Sequence, residues 1–157
     1  MVIEIYAERY KRWFKMVELF FFILGLANSC FLIFIFLIRK DSTFLLQRIG
    51  WTYLLLAIPA VYGTFLVAKE RKTARYSIFL AIFLAFLALE WLLDYVLKIP
   101  FRENMKQNLK WVVPYLGLYY AMNYGFVVMP WKTSRVWGII MLGLFIIQLV
   151  VNLISHP

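Results

Sequence analysis

The sequence predicts an all-α, polytopic integral membrane protein: a bundle of five transmembrane helices preceded by an interfacial amphipathic helix. Of its 157 residues, 64% are hydrophobic and 20% are aromatic, and the mean hydropathy is +0.79. Such values are typical of membrane proteins rather than soluble domains. Five apolar runs are each long enough to cross a hydrocarbon core, which needs roughly 20 helical residues. We therefore expect residues 1–157 to form a single helical membrane domain.

The five predicted spans are joined by short, charged connections. They cover residues 16–38, 50–68, 77–97, 111–129 and 136–154. Because the connections are short, successive helices should run antiparallel. Pro59 and Pro114 are expected to bend the second and fourth spans, since proline removes a backbone hydrogen bond. Five tryptophans lie at predicted span edges, where an indole ring is favoured. These are Trp13, Trp51, Trp111, Trp131 and Trp137.

Residues 1–15 alternate charged and apolar side chains at helical spacing. One side carries Glu4, Glu8, Lys11, Arg12 and Lys15, and the other carries Ile3, Tyr6, Tyr10, Trp13 and Phe14. This pattern is typical of an amphipathic helix in the membrane interface, with its cationic end near anionic lipid. A plain N-terminal extension of the first span is an equal alternative, and the sequence leaves both open.

The distribution of basic residues predicts the orientation in the membrane. The N-terminal segment and the second and fourth loops together hold 10 of the 17 Lys and Arg residues, and the first and third loops hold 7. They are Arg9, Lys11, Arg12, Lys15, Lys69, Arg71, Lys72, Arg75, Lys132 and Arg135 on one side, and Arg39, Lys40, Arg48, Lys98, Arg102, Lys106 and Lys110 on the other. The positive-inside rule then places the N-terminus in the cytoplasm and the C-terminus outside.

The composition also excludes several kinds of site within this chain. The formal charge of +9 lies mostly beside apolar runs, as juxtamembrane charge does, so no nucleic acid is expected as a partner. Cys30 is the only cysteine and His156 the only histidine, which excludes intrachain disulfides and argues against metal and haem sites. We expect no cofactor. No phosphate-binding glycine loop and no nucleophile-base motif is present.

The most informative polar residues are two carboxylates inside the third predicted span. Glu90 and Asp94 lie one helical turn apart, just before Lys98, and Trp91 lies beside Glu90. An acid at the centre of a span costs about 2.5 to 3.5 kcal/mol on insertion scales, so it usually faces a partner, a cavity or a ligand. The α-helical i, i+4 spacing predicts that Asp94 pairs with Lys98 near the membrane edge. Glu90 would then be neutral or conditionally charged.

Helical phase assigns two faces to the third span. At 100° per residue, a stripe of small residues lies nearly opposite the two acids. The stripe consists of Ser77, Ala81, Ala85 and Ala88. Because small residues permit close helix contact in lipid, we expect this stripe to be packed, the acids to line a polar site, and the third helix to be central.

Depth along the helices predicts which side chains meet the acids. Counted at 1.5 Å per residue from the shared loop, Glu90 is level with Tyr119 and Tyr120 of the fourth span. Asp94 is level with Tyr115, and Asn123 lies one turn deeper than Tyr120. These phenols and the amide can donate hydrogen bonds to a carboxylate. An equally open alternative is that they serve only in packing or in bonds between helices.

Three functional hypotheses follow from these residues. In the first, Glu90, Trp91, Asp94 and Lys98 with Tyr115, Tyr119, Tyr120 and Asn123 form a binding or transport site for a lipid-like, cationic or proton-coupled small molecule. In the second, the chain is a non-catalytic accessory or assembly subunit of a larger membrane complex, and the acids pair with basic groups of another membrane protein. The candidate protein partners are thus another membrane protein or, outside this second hypothesis, a second copy of the chain in a homo-oligomer. In the third, Glu90 is an acid or base in an enzyme acting on an apolar substrate. Membrane lipids are expected partners in all three.

Overall fold

A computed structural model describes residues 2–39, 43–70, 73–99 and 107–155, with side chains from residue 16 onward except 39–48. Over these ranges the chain is helical and contains no strand, which confirms the all-α class. The helices are α1 (Val2–Arg39), α2 (Thr43–Leu54), α3 (Ala57–Lys69), α4 (Ala74–Trp91), α5 (Leu109–Thr133) and α6 (Arg135–Ser155). A π-helical turn, Leu92–Val96, directly extends α4.

Five helical segments are long and apolar enough to cross a membrane. They are Met16–Ile38, Ile49–Lys69, Ala74–Val96, Leu109–Thr133 and Arg135–Ser155, in agreement with the five predicted spans. Five such helices suggest an integral membrane protein. The orientation and the amphipathic character of residues 1–15 stay predictions. The side chains of residues 1–15 lie outside the described part, as do loop residues Lys40, Arg71, Lys72, Arg102 and Lys106 and the terminal His156.

The first span, not the third, is the central helix of the bundle. Helix α1 packs against α2, α3, α5 and α6, whereas α4 packs against α3 and α5. The Phe21 ring of α1 also lies against Tyr76 of α4, with ring centroids 5.4 Å apart. Gly25 explains part of this position, because it lets the backbone of α1 approach side chains of α5 and α6. The prediction of a central third helix was wrong.

The buried face of α4 is also not the predicted one. Ser77, Ala81, Ala85 and Ala88 are all exposed in the chain. The buried residues are Tyr76, Leu80, Phe83, Phe86, Leu87 and Glu90. Large side chains make more van der Waals contacts than alanine, and a carboxylate needs polar neighbours, so this face is the one that packs. The small-residue stripe therefore faces away from the bundle.

Pro59 interrupts the second span, as the sequence predicts. Helix α2 ends at Leu54 and α3 begins at Ala57. Pro59 has no N–H to donate to the Leu55 carbonyl four residues earlier. The intervening backbone makes tighter i to i+3 bonds: Leu55 N to Thr52 O at 3.2 Å and Ile58 N to Leu55 O at 3.0 Å. Helix α5, in contrast, continues without a break through Pro114.

An aromatic layer crosses the middle of the bundle. The Phe126 ring of α5 lies 5.1 Å from Phe21 of α1 and 5.2 Å from Phe83 of α4. At the same level, a Cβ on Gly25 would lie 2.9 Å from both Phe126 Cδ1 and Met141 Cε of α6. We call Phe21, Phe83 and Phe126 the aromatic layer. It divides the interior of the bundle into two halves.

Candidate functional site

The buried polar side chains of the bundle lie on one side of the aromatic layer. Within the described ranges, the buried Asn, Gln, Ser and Glu residues are Asn28, Ser29, Glu90, Asn123, Gln148 and Ser155. In α1, α4 and α6 they come later in the chain than Phe21, Phe83 and Met141, which lie at the level of the layer. Helix α5 runs in the opposite direction, and there Asn123 comes before Phe126. All six therefore lie toward the end of the bundle where α4 ends and α5 begins. We call this region the polar half.

Glu90 is buried in the polar half, with 8% of its surface exposed. The Tyr115 hydroxyl of α5 donates to Glu90 Oε1 over 3.4 Å, which is long for a hydroxyl donor. Phe86, one turn earlier on α4, packs against the Tyr115 ring, with the ring centroids 5.3 Å apart. The carboxylate thus sits at the contact between α4 and α5, against a phenol and a phenylalanine.

The phenol beside Glu90 is one turn away from the pair predicted by depth. The prediction counted inward from the shared loop, with the fourth span starting at Trp111, and placed Tyr119 and Tyr120 level with Glu90. In the structure the described helix ends at Val96 and α5 begins at Leu109. Counted from those ends, Glu90 and Tyr115 are equally deep. The error came from the helix boundaries rather than from the antiparallel arrangement.

Tyr119 and Asn123 direct their polar groups to other partners. The Tyr119 hydroxyl donates to Gln148 Oε1 of α6 at 3.1 Å, in a buried bond. Asn123 Nδ2 donates to the backbone carbonyl of Tyr119 at 2.9 Å. Tyr120 is 50% exposed and packs edge-on against Tyr119. Four residues of the fourth span were predicted to donate hydrogen bonds to the acids: Tyr115, Tyr119, Tyr120 and Asn123. Of these, Tyr115 is the one that donates to Glu90.

The last turn of the third span is π-helical and contains Asp94. Leu97 N donates to Leu92 O at 2.8 Å, the i to i+5 bond of a π-helix, and Ile99 N donates to Leu93 O at 3.1 Å. Lys98 follows with φ of 50°, a left-handed conformation that takes the backbone out of the helix. A π-turn and a left-handed Lys98 thus replace the regular α-helix on which the predicted Asp94–Lys98 pair was based, and that pair stays a prediction. π-Helical turns occur frequently at functional sites.

The π-turn also brings the acidic end of α4 against the second span. Tyr95 packs edge-on against Trp51 of α2, with ring centroids 5.6 Å apart. A Cβ at Gly50 would lie 2.5 Å from the Tyr95 hydroxyl oxygen, so the absence of a side chain there permits the contact. Trp91 and Lys98 are exposed on the outside of the same helix end.

A second buried phenol-amide bond joins the first two spans. The Tyr53 hydroxyl of α2 donates to Asn28 Oδ1 of α1 at 2.8 Å. It matches the Tyr119–Gln148 bond between α5 and α6, and each bond links two helices of the polar half. The candidate site residues chosen from the sequence do not include Asn28, Tyr53 or Gln148. An amide inside an apolar span is a signal for such bonds, but it does not identify the partner.

Comparison of the chain with protein-family models, with curated protein sequences and with solved structures finds no match. Within the described residues, no group of three or more His, Cys, Asp or Glu side chains is placed to hold a metal ion.

Proposed function

We propose that this chain is a small integral membrane protein that binds a cationic, lipid-like or proton-coupled small molecule at the α4–α5 contact, with Glu90 as the central acid. The observation that carries the proposal is the burial of Glu90, at 8% exposure, at the end of a long apolar run of α4. A carboxylate removed from water in this way strongly favours a cation or a proton nearby. The π-turn beside it adds support, since such turns recur at functional sites.

The surroundings of Glu90 favour an amphiphilic cation among these ligands. Tyr115 and Phe86 supply aromatic surface next to the carboxylate, and aromatic faces attract cations. The adjacent Trp91 is 48% exposed on the outside of α4, where it meets the hydrocarbon of a membrane. An amphiphile approaching from lipid would place its chain along Trp91 and its charged group toward Glu90. Asp94, partly buried in the π-turn, adds a second negative charge at the membrane edge.

The test compares binding of a charged and an uncharged probe. The protein in lipid nanodiscs is titrated with a fluorescent long-chain alkylammonium and, separately, with the alcohol of the same chain length. Glu90→Gln keeps the size of the side chain and removes its negative charge. We expect it to raise the Kd of the alkylammonium about tenfold or more, equivalent to about 1.4 kcal/mol, and to leave the Kd of the alcohol unchanged.

Glu18→Gln is the matched control, because Glu18 is a partly buried carboxylate of α1 on the other side of the aromatic layer. It should bind both probes like the wild-type protein. The proposal fails if Glu90→Gln binds the alkylammonium normally. It also fails if Glu18→Gln weakens the binding to the same extent, since the effect would then be one of overall charge.

The exposed stripe of Ser77, Ala81, Ala85 and Ala88 favours a second candidate, an accessory subunit of a larger membrane complex. Small side chains let the backbones of two membrane helices approach closely, and the stripe is exposed within the described part of the chain. A partner helix seated on this stripe would leave the Glu90 site intact. The two candidate functions therefore use different faces of α4.

Native mass spectrometry of gently extracted protein tests the second candidate. An accessory subunit should carry another membrane protein at fixed stoichiometry, and Ala81→Leu or Ala85→Leu should release it. Ala68→Leu adds the same bulk at an exposed position of α3 and should retain the partner. A monomer or a homo-oligomer without any partner chain would rule this candidate out.

A further inference from the structure

Both phenol-amide bonds of the polar half leave an amide nitrogen without a partner. Asn28 and Gln148 are fully buried, each at 0% exposure, and each accepts a tyrosine hydroxyl through its amide oxygen. Asn28 Nδ2 and Gln148 Nε2 make no hydrogen bond. The hydroxyl of Ser29, next to Asn28 and 1% exposed, is also without a partner. Three strong hydrogen-bonding groups are therefore unsatisfied in one region.

Unsatisfied groups of this kind are costly inside a membrane protein. A buried amide N–H that has lost water and gained no partner destabilises the folded state, and lipid offers no replacement acceptor. Native proteins therefore pair nearly all such groups, either with protein atoms or with ordered water. A buried water molecule typically makes about three hydrogen bonds and bridges polar groups left over by the protein.

We propose that the polar half holds internal water molecules, at least one on Asn28 and Ser29 and at least one on Gln148. Water fits the free groups, because it accepts from the two amide nitrogens and both donates to and accepts from a hydroxyl. The aromatic layer sets the boundary of the hydrated region. Phe83 at its centre is fully buried, and Phe21 and Phe126 on either side are each 2% exposed. The aromatic layer is thus a dry boundary on one side of the proposed water sites.

X-ray radiolytic footprinting of the full chain in nanodiscs tests this proposal. Hydroxyl radicals formed from bound water oxidise the aromatic rings next to it, including buried rings that bulk solvent does not reach. Tyr53 and Tyr119 expose only 1% and 3% of their surface, about as little as the rings of the aromatic layer. We expect both tyrosines to be oxidised at least tenfold faster than Phe83 and Phe126. Equal rates at tyrosines and phenylalanines would overturn the proposal.

Two substitutions assign each water to its amide. Asn28→Leu should slow the oxidation of Tyr53 at least fivefold and leave Tyr119 unchanged. Gln148→Met should slow the oxidation of Tyr119 at least fivefold and leave Tyr53 unchanged. Unchanged rates in both folded variants would overturn the assignment, and the wild-type comparison decides the proposal even where a variant does not fold. Glu90→Gln should leave both tyrosine rates unchanged, so this result is independent of the acidic binding site.

Discussion

Gly25→Leu is expected to lower the free energy of unfolding by about 3 kcal/mol, because overpacking a filled core forces side chains and backbone apart. A single added Cβ would already lie 2.9 Å from Phe126 Cδ1 and from Met141 Cε. Met141 can move, but Phe126 is held between Phe21 and Phe83. The substitution therefore acts at the junction of α1, α5 and α6. Unfolding in mixed detergent micelles, followed by tryptophan fluorescence, measures the loss.

Gly143→Leu is the matched control for this experiment. Gly143 is also a glycine inside a membrane-spanning helix, but a Cβ added there meets no atom within 4 Å. We expect its stability to remain within about 0.5 kcal/mol of the wild-type value. If Gly25→Leu and Gly143→Leu were equally destabilised, the loss would reflect the helix itself, and the close approach of α1 to α5 and α6 would be refuted.

Tyr119→Phe is expected to destabilise the bundle by about 2 kcal/mol, because it leaves the whole amide of Gln148 buried without a protein partner. Gln148→Met should cost a similar amount, since it leaves the buried Tyr119 hydroxyl unpaired. The double variant replaces both partners by apolar groups of similar shape. It should recover most of the combined loss, because removing both polar groups removes the desolvation penalty as well.

The four proteins of this double-mutant cycle are compared by reversible unfolding in the same detergent mixture. A coupling energy of about 1 kcal/mol or more is the expected result for two residues in direct contact. Tyr120→Phe serves as a control, because Tyr120 is half exposed on the same helix and should be close to neutral. Strictly additive losses from Tyr119→Phe and Gln148→Met would show that the 3.1 Å bond between them does not stabilise the fold.

Span positions could be predicted from the sequence because they depend on local properties. A run of about 20 apolar residues is long enough to cross a bilayer wherever its neighbours lie. The break before Pro59 is equally local, since the missing N–H affects only the preceding turn. The choice of Glu90 as a candidate site residue also came from the sequence, because a carboxylate within an apolar run is costly to bury, and its role stays a prediction. These predictions required no knowledge of which helices touch.

The arrangement of the helices could not be obtained in this way. Helical phase placed Glu90 opposite the small-residue stripe, but it could not decide which of the two faces the bundle would cover. The depth count selected a tyrosine one turn too deep, because the third span ends in a π-turn and a left-handed Lys98 and α5 already begins at Leu109, two residues before the predicted start. Pairings such as Tyr53 with Asn28 join residues far apart in the chain, and many tyrosines were available for each amide.

The sequence by itself therefore predicted the five helices that are long and apolar enough to span a membrane, the irregularity at Pro59 and the carboxylate within the third of these helices. Only the tertiary structure decided that α1 is central, that the large aromatic face of α4 is buried, that Tyr115 accompanies Glu90, and that the buried amides collect in one half of the bundle. The physical reason is the range of the interactions. Hydropathy and backbone hydrogen bonding act within one helix, whereas packing and side-chain pairing depend on all the helices that compete for the same contact surface.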